Sequence, residues 1–235
     1  MPQTDSSPLA AVSQSPARVI RVWDLPLRLF HWLLAGLVVT AGVTGKIGGN
    51  AMEIHLWAGY GIANLVVFRF LWGWVGTPHA RFTSFVRGLP ATFAYCRQLL
   101  GGTAPVRPGH NPLGAWMVLL LLAALAFQAG SGLFANDDIM TEGPLFDLVS
   151  KDASDYLTAL HKLGFKALLV LAGVHVTAIG LYLGVKRINL IGPMVTGRMA
   201  VADPALPEPA MPWATNLLAL ALLAACAAGF WLLVL

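Results

Sequence analysis

The segment LTALHKLGFKALLVLAGVHV, residues 157–176, decides the fold. It has the length and apolar content of a membrane helix, yet it carries two histidines, His161 and His175, fourteen residues apart. Fourteen residues is just under four helical turns, so both imidazoles project toward nearly the same side. Their Cα atoms lie roughly 21 Å apart along the axis. Titratable groups at that depth in lipid are expensive and rarely idle.

The rest of the chain extends this reading. It has 235 residues, 57% of them hydrophobic and 11% charged, with a mean hydropathy of +0.70. A soluble domain carries about a quarter charged residues. Five apolar runs, near 27–47, 53–75, 113–134, 156–184 and 213–235, each approach the roughly 20 residues that cross a bilayer. The fold class is therefore an all-α, polytopic membrane protein. Residues 1–17, rich in Ser, Pro, Gln and Ala, read as a disordered tail. They lack the basic start and apolar core of a signal peptide, so the first span is expected to be retained.

Charge placement orients the spans. The connection 76–112 carries Arg81, Arg87, Arg97 and Arg107 and no acid, Arg18, Arg21 and Arg28 flank the first span, and Lys186, Arg187 and Arg198 follow the fourth. Simple alternation puts all of these on one side, which the positive-inside rule makes the cytoplasm. The opposite loop, 135–155, holds Asp137, Asp138, Glu142, Asp147, Asp152 and Asp155, six of the chain's 11 acids, against one lysine, Lys151. The N-terminus is then expected on the cytoplasmic side and the C-terminus on the opposite side. The basic balance reports topology and does not point to nucleic acid.

Two further histidines, His31 and His55, open the first and second spans. Depth pairs His55 with His161 near the outer face and His31 with His175 toward the inner face. The inner pairing is strained, because His31 lies three residues past Arg28 while His175 lies eleven before Lys186. A first helix beginning near Trp23, or a fourth projecting into the cytoplasm, removes the mismatch. Four imidazoles at two depths point to two bis-histidine haems. Proton relays recruit intramembrane carboxylates, and the one candidate, Glu53, sits at a helix end. The pairs lie too far apart to form one four-ligand zinc site. Cys96 and Cys226 are isolated and no C-x-x-C-H occurs, which excludes covalent c-type attachment.

Residues around these pairs divide into several kinds. Gly36, Gly42, Gly59, Gly61, Gly164 and Gly173 are candidates to admit a flat macrocycle, or ordinary close helix contacts. Cations available to propionates are Lys46, Lys162 and Lys166 at the outer level, and Arg28, Arg69 and Lys186 at the inner level. Arg69 stands out because it lies within an apolar span. His79 and His110 fall in the basic connection, where solvated or interfacial side chains are expected. In Gly109-His110-Asn111-Pro112, Asn111 and Pro112 have the residue types of a helix start.

The stretches Val22-Trp23-Asp24-Leu25-Pro26-Leu27-Arg28-Leu29-Phe30-His31-Trp32, Arg69 to Phe82 with Trp72-Gly73, Gly109 to Trp116, and the helix bearing His161 and His175 resemble the prokaryotic cytochrome b561 family. Related proteins are the b-type cytochrome subunits of nickel-iron hydrogenases and formate dehydrogenases. The resemblance covers about residues 18–200. It implies a four-helix transmembrane di-haem bundle, with two haem b groups held by His31, His55, His161 and His175. It also implies electron exchange with quinone, often with an extracytoplasmic redox partner. By analogy with the hydrogenase and formate dehydrogenase branch, His110 and Asn111 are quinone candidates.

The chain departs from that pattern in its tail and its fifth span. A Pro-rich linker, 201–212, leads to a C-terminal transmembrane helix at 213–235. Ala221, Ala225 and Gly229 form a small-residue stripe there, as do Ala224 and Ala228, suited to a partner subunit or a homodimer; a lipid-facing anchor is the alternative. The leading function is electron transfer between the quinone pool and a periplasmic cytochrome c or other redox subunit, drawn in by the acidic loop. A stand-alone superoxide:quinone oxidoreductase and a haem-free structural or transport subunit are the competing readings.

Overall fold

The computed structural model describes residues 18–105, 108–201, 206 and 208–234. The expected tail 1–17, Arg107 and much of the linker, residues 202–205 and 207, lie outside the described residues.

Strand β1 (Arg18–Arg21) leads into α1 (Leu25–Ile47) and α2 (Met52–Val75). Two shorter helices, α3 (Phe82–Phe85) and α4 (Leu89–Leu100), precede α5 (Pro112–Gly132). The long helix α6 (Lys151–Gly184) is followed by α7 (Ile191–Thr196), strand β2 (Arg198–Val201) and α8 (Ala214–Val234). Five of these helices are long and apolar enough to cross a membrane. Sequence explains their starts. Asp24 and Asn111 cap α1 and α5 by accepting from Leu27 N and Gly114 N, each with a proline in the first turn, and Ser150 caps α6. Gly48, at φ +70°, ends α1 and lets the chain reverse into α2.

Helix α1 packs along α2, α5 along α6, α2 bridges to α5, and α8 lies against α2. Ile62, Leu125 and Leu168 form the buried centre where α2, α5 and α6 meet. Much of the outer surface is apolar, with Leu33, Val39, Leu163, Val170 and Leu232 all exposed, as required of helices solvated by hydrocarbon.

The two strands pair antiparallel, from Arg18 opposite Val201 to Arg21 opposite Arg198. This places the start of α1 and the segment after α6 at the same end of the bundle, hereafter the basic end. Val22 N and Trp23 N both donate to Gly197 O, at 2.8 and 3.2 Å. Gly197, at φ +79°, approaches so closely that a Cβ there would lie 2.7 Å from Trp23 O. Beneath this knot Asp24 is 4% exposed. Its carboxylate accepts from Leu27 N (2.6 Å), Trp72 Nε1 (3.2 Å) and Thr77 Oγ1. A buried carboxylate with three donors is satisfied, and it ties α1 to the end of α2.

At α8 the contact face differs from the small-residue stripe. Ala219, Leu222, Leu223 and Cys226 pack against the bundle core, Trp231 stacks on Trp57 at 5.9 Å and Phe230 meets Tyr60 at 5.4 Å. Ala221, Ala225 and Gly229 stay exposed. Larger side chains fill the groove beside α2, so the stripe faces outward.

Helix α6 begins at Lys151, five residues before the expected start of its span. At 1.5 Å per residue its 34 residues rise roughly 50 Å, well beyond the hydrocarbon thickness of about 30 Å. Its first turns therefore stand at the acidic end. Asn136 binds them through Ser154 Oγ (2.7 Å), Asp155 Oδ1 (2.9 Å) and Thr158 Oγ1 (3.0 Å). Lys151 pairs with Asp138 at 2.6 Å and with Asp155. Asp137 turns onto its own loop and accepts from the backbone N–H groups of Ile139, Met140 and Thr141 at 2.8–2.9 Å. These bonds hold its carboxyl well below the usual carboxylate range.

A depressed carboxylate pKa contributes stability above the unfolded value, about 3.9 for Asp, and loses it as pH falls through the folded value. The 139–141 amides should therefore remain equally protected from hydrogen exchange at pH 7 and pH 5, after correction for intrinsic rates. Asp137→Ala should remove that protection at both pH values. Retained protection in the variant would contradict the assigned loop bonds.

Candidate functional site

The four histidines meet in two pairs. The ring centres of His55 and His161 are 6.0 Å apart with planes at 85°. Those of His31 and His175 are 6.5 Å apart with planes at 52°. The depth mismatch of the inner pair is absorbed at both ends. Helix α1 already starts at Leu25, and the chain after α6 turns back through α7 and β2 onto it. There Arg28 Nη1 donates to Val195 O, and Trp32 Nε1 to Met194 O at 3.3 Å.

The pairs differ in their support. His55 Nδ1 lies 2.8 Å from Ala41 O, and His161 Nδ1 lies 2.9 Å from Gln128 O. A carbonyl only accepts, so both Nδ1 atoms carry the proton and both Nε2 atoms keep a lone pair, that of His161 accepting from Gln128 Nε2 at 3.2 Å. That is the tautomer of a metal-ligating imidazole oriented by its other nitrogen. His31 instead has a buried Nδ1 with no partner, and its ring stands edge-on to Trp32 at 4.9 Å.

Glycines sort into three groups. Gly36, Gly59 and Gly173 face open space. Gly42, Gly61 and Gly164 serve helix contacts: a Cβ there would meet Phe165, Leu37, and Gln128 with Phe127, respectively. Two others, Gly45 and Gly132, were not singled out from sequence. A Cβ at Gly45 would lie 2.9 Å from the His55 ring, and one at Gly132 would lie 2.9 Å from His161 Cε1. Their role depends on which helix lies opposite, and no local pattern announces that.

Arg69 on α2 is 2% exposed. Its Nη2 donates to Ala80 O at 3.1 Å, its guanidinium lies 4.8 Å from the centre of the Phe82 ring, and its Nη1 has no partner. His110 is mostly buried and not solvated as its loop position implies. It packs between Trp23 (4.7 Å) and Phe85 (4.6 Å), with Nδ1 unpartnered. Burial first, then the Arg69 charge, push its pKa down to about 3, so it is neutral at pH 7. Burial likewise lowers His79. Asn111 is committed at both ends, capping α5 through Oδ1 and donating from Nδ2 to Tyr182 OH at 3.0 Å. Tyr182 in turn shares a 2.9 Å hydrogen bond with Tyr95 OH.

A family model described as prokaryotic cytochrome b561 matches residues 22–197, from the capped start of α1 through the glycine beneath it. The chain belongs to the prokaryotic cytochrome b561 family. Three curated relatives share the printed name "Probable Ni/Fe-hydrogenase B-type cytochrome subunit". The one from Rhizobium leguminosarum bv. viciae is 27% identical, over 78% of this chain and 90% of its own length. The one from Azotobacter chroococcum mcd 1 is 30% identical, over 76% and 87%. The one from Azotobacter vinelandii is 31% identical, over 76% and 87%. No solved structure matches.

A b-type cytochrome carries haem b, and the histidine pairs of this cytochrome fit such a group. With metal–imidazole bonds of roughly 2.0–2.1 Å on either side and about 1.1 Å from nitrogen to ring centre, axial imidazoles hold their ring centres about 6.3 Å apart. Both observed separations lie close to that value. Among the described residues no three His, Cys, Asp or Glu side chains converge on one metal position. A metal held at either pair would have two imidazole ligands and would need a macrocycle for the rest.

Gly45→Val and Gly132→Val should each lower the haem bound per chain, with the far-ultraviolet circular dichroism unchanged. Gly229→Val, at a position facing open space, should leave haem content at the parental level. Full haem content in both ring-facing variants would contradict the fit.

Proposed function

We propose that this cytochrome is a two-haem electron conduit of the bacterial inner membrane. In this reading His55 and His161 are the axial ligands of one haem b, and His31 and His175 those of a second. The observation that carries it is the pairing itself: α6 presents two imidazoles just under four turns apart, and each meets one histidine from α1 or α2 at ligand spacing. Haem supplies the one-electron chemistry, while the protein supplies ligands, spacing and polarity.

The arginines and lysines of the basic end support its lying in the cytoplasm. The acidic end then faces the periplasm, and the C-terminus of α8 with it. Exposed Glu142, Asp147 and Asp152 have no ion pair among the described residues, and they suit a redox partner bearing a basic patch. The relatives' printed name supports a hydrogenase subunit in that role over a soluble cytochrome c. Electrons then run from the outer pair to the inner pair and on to quinone.

His110 and Arg69 form the quinone end in this proposal. Each holds one buried, unpartnered nitrogen, His110 lies within electrostatic reach of Arg69, His175 and His31, and neutral His110 can donate or accept a single hydrogen bond. Asn111, already bound at both ends, positions His110 through the start of α5.

Single substitutions test the pairing. His55→Ala and His161→Ala should abolish the same haem signal, and His31→Ala and His175→Ala the other, as read by redox titration of the α-band. Full haem content in any one variant would remove that residue from the ligand set.

A further inference from the structure

A cavity of about 580 Å³ opens at the basic end, between the start of α1, the β1–β2 ribbon and the first turn of α8. No residue of α2, α5 or α6 lines it, so it is separate from the histidine pairs. Three arginines do: Arg21, Arg28 and Arg198. We propose that this cavity binds a phosphate group, as carried by the headgroup of an anionic phospholipid or by a soluble phosphate.

Three observations carry the assignment. The first is the strand register, which sets Arg21 directly opposite Arg198. Like charges facing each other across a ladder are destabilising, and among the described residues no acid forms an ion pair with either arginine. Lys151 makes the only ion pairs among the described residues. Glu208 is near, but its carboxylate accepts from the Arg21 backbone N–H at 3.3 Å and it does not line the cavity.

The second is the state of the remaining charged groups. Arg28 Nη1 is held by Val195 O, while its Nε is buried without a partner. Asp24 is the one acid in the lining, and its oxygens are taken by Leu27 N, Trp72 Nε1 and Thr77 Oγ1. Among the described residues the cavity thus holds three guanidiniums and no available anion.

The third is position. Thr215 and Asn216 add uncharged donors from the first turn of α8 and Leu25 lines the cavity, and exposed Trp213 directly follows the lining residue Pro212 in the chain. Tryptophan marks the headgroup level of a bilayer, and basic pockets between helices on the cytoplasmic side suit anionic headgroups. Guanidinium recognises phosphate oxygens in a bidentate, charge-assisted manner.

The test uses the full haem-loaded chain, delipidated in an uncharged detergent. Native mass spectrometry and thermal unfolding are recorded with added phosphatidylglycerol, phosphatidylcholine or inorganic phosphate. The parent protein should retain phosphatidylglycerol and be stabilised by it, whereas phosphatidylcholine should do neither. Stabilisation by inorganic phosphate instead would assign the same site to a soluble ligand. The R21Q/R198Q double variant should bind roughly tenfold or more weakly. Without any anion it should be at least as stable as the parent, because the facing charges are gone. An R87Q control in the distant basic connection should bind like the parent. Equal binding by parent and double variant, or no binding of either phosphate source, would overturn the proposal.

Discussion

A titratable ring inside hydrocarbon is costly unless something engages it, and this chain places four there at two fixed heights. The four turns of unbroken α6 between His161 and His175 set those heights. Every other element is arranged so that α1 and α2 meet them. The α1–α2 hairpin turns at Gly48 with His31 near one end and His55 near the other. The β1–β2 ribbon then returns the chain after α6 to the start of α1, so His31 lies at the level of His175.

The two levels are built differently. At the acidic end, backbone carbonyls of α1 and α5 hold the Nδ1 protons of His55 and His161, and glycines face both rings. This fixes the tautomer and orientation of both rings. At the basic end His31 lacks such a tether, and Arg69 and His110 each keep an unpartnered nitrogen. A tethered pair at one end and unpartnered polar nitrogens at the other support the proposed conduit.

Much of this organisation could be read from sequence, because hydropathy and histidine spacing are local signals. The spans, the alternation of basic and acidic loops, and the pairing of His55 with His161 follow from them. What could not be read depended on contacts between distant segments. Helix α6 starts at Lys151 because Ser150 caps it and Asn136 binds its first turns, although hydropathy there is low. Asp24 stood inside the recognised motif, but its buried bonds to Trp72 and Thr77 link residues 48 and 53 positions away. His110 was expected near solvent and is packed between Trp23 and Phe85. The small-residue stripe on α8 was assigned to a partner or a second copy and faces outward, but that the bulkier face meets α2 was not legible locally.

The central claim is that each chain holds two b haems. Its most direct test is the dithionite-reduced minus oxidised spectrum of the purified full chain, with haem and protein quantified on the same sample. The account predicts a b-type α-band and about two haems per chain. One haem per chain would leave a histidine pair without its assigned role. A protein that stays colourless after haem supplementation would contradict the account as a whole.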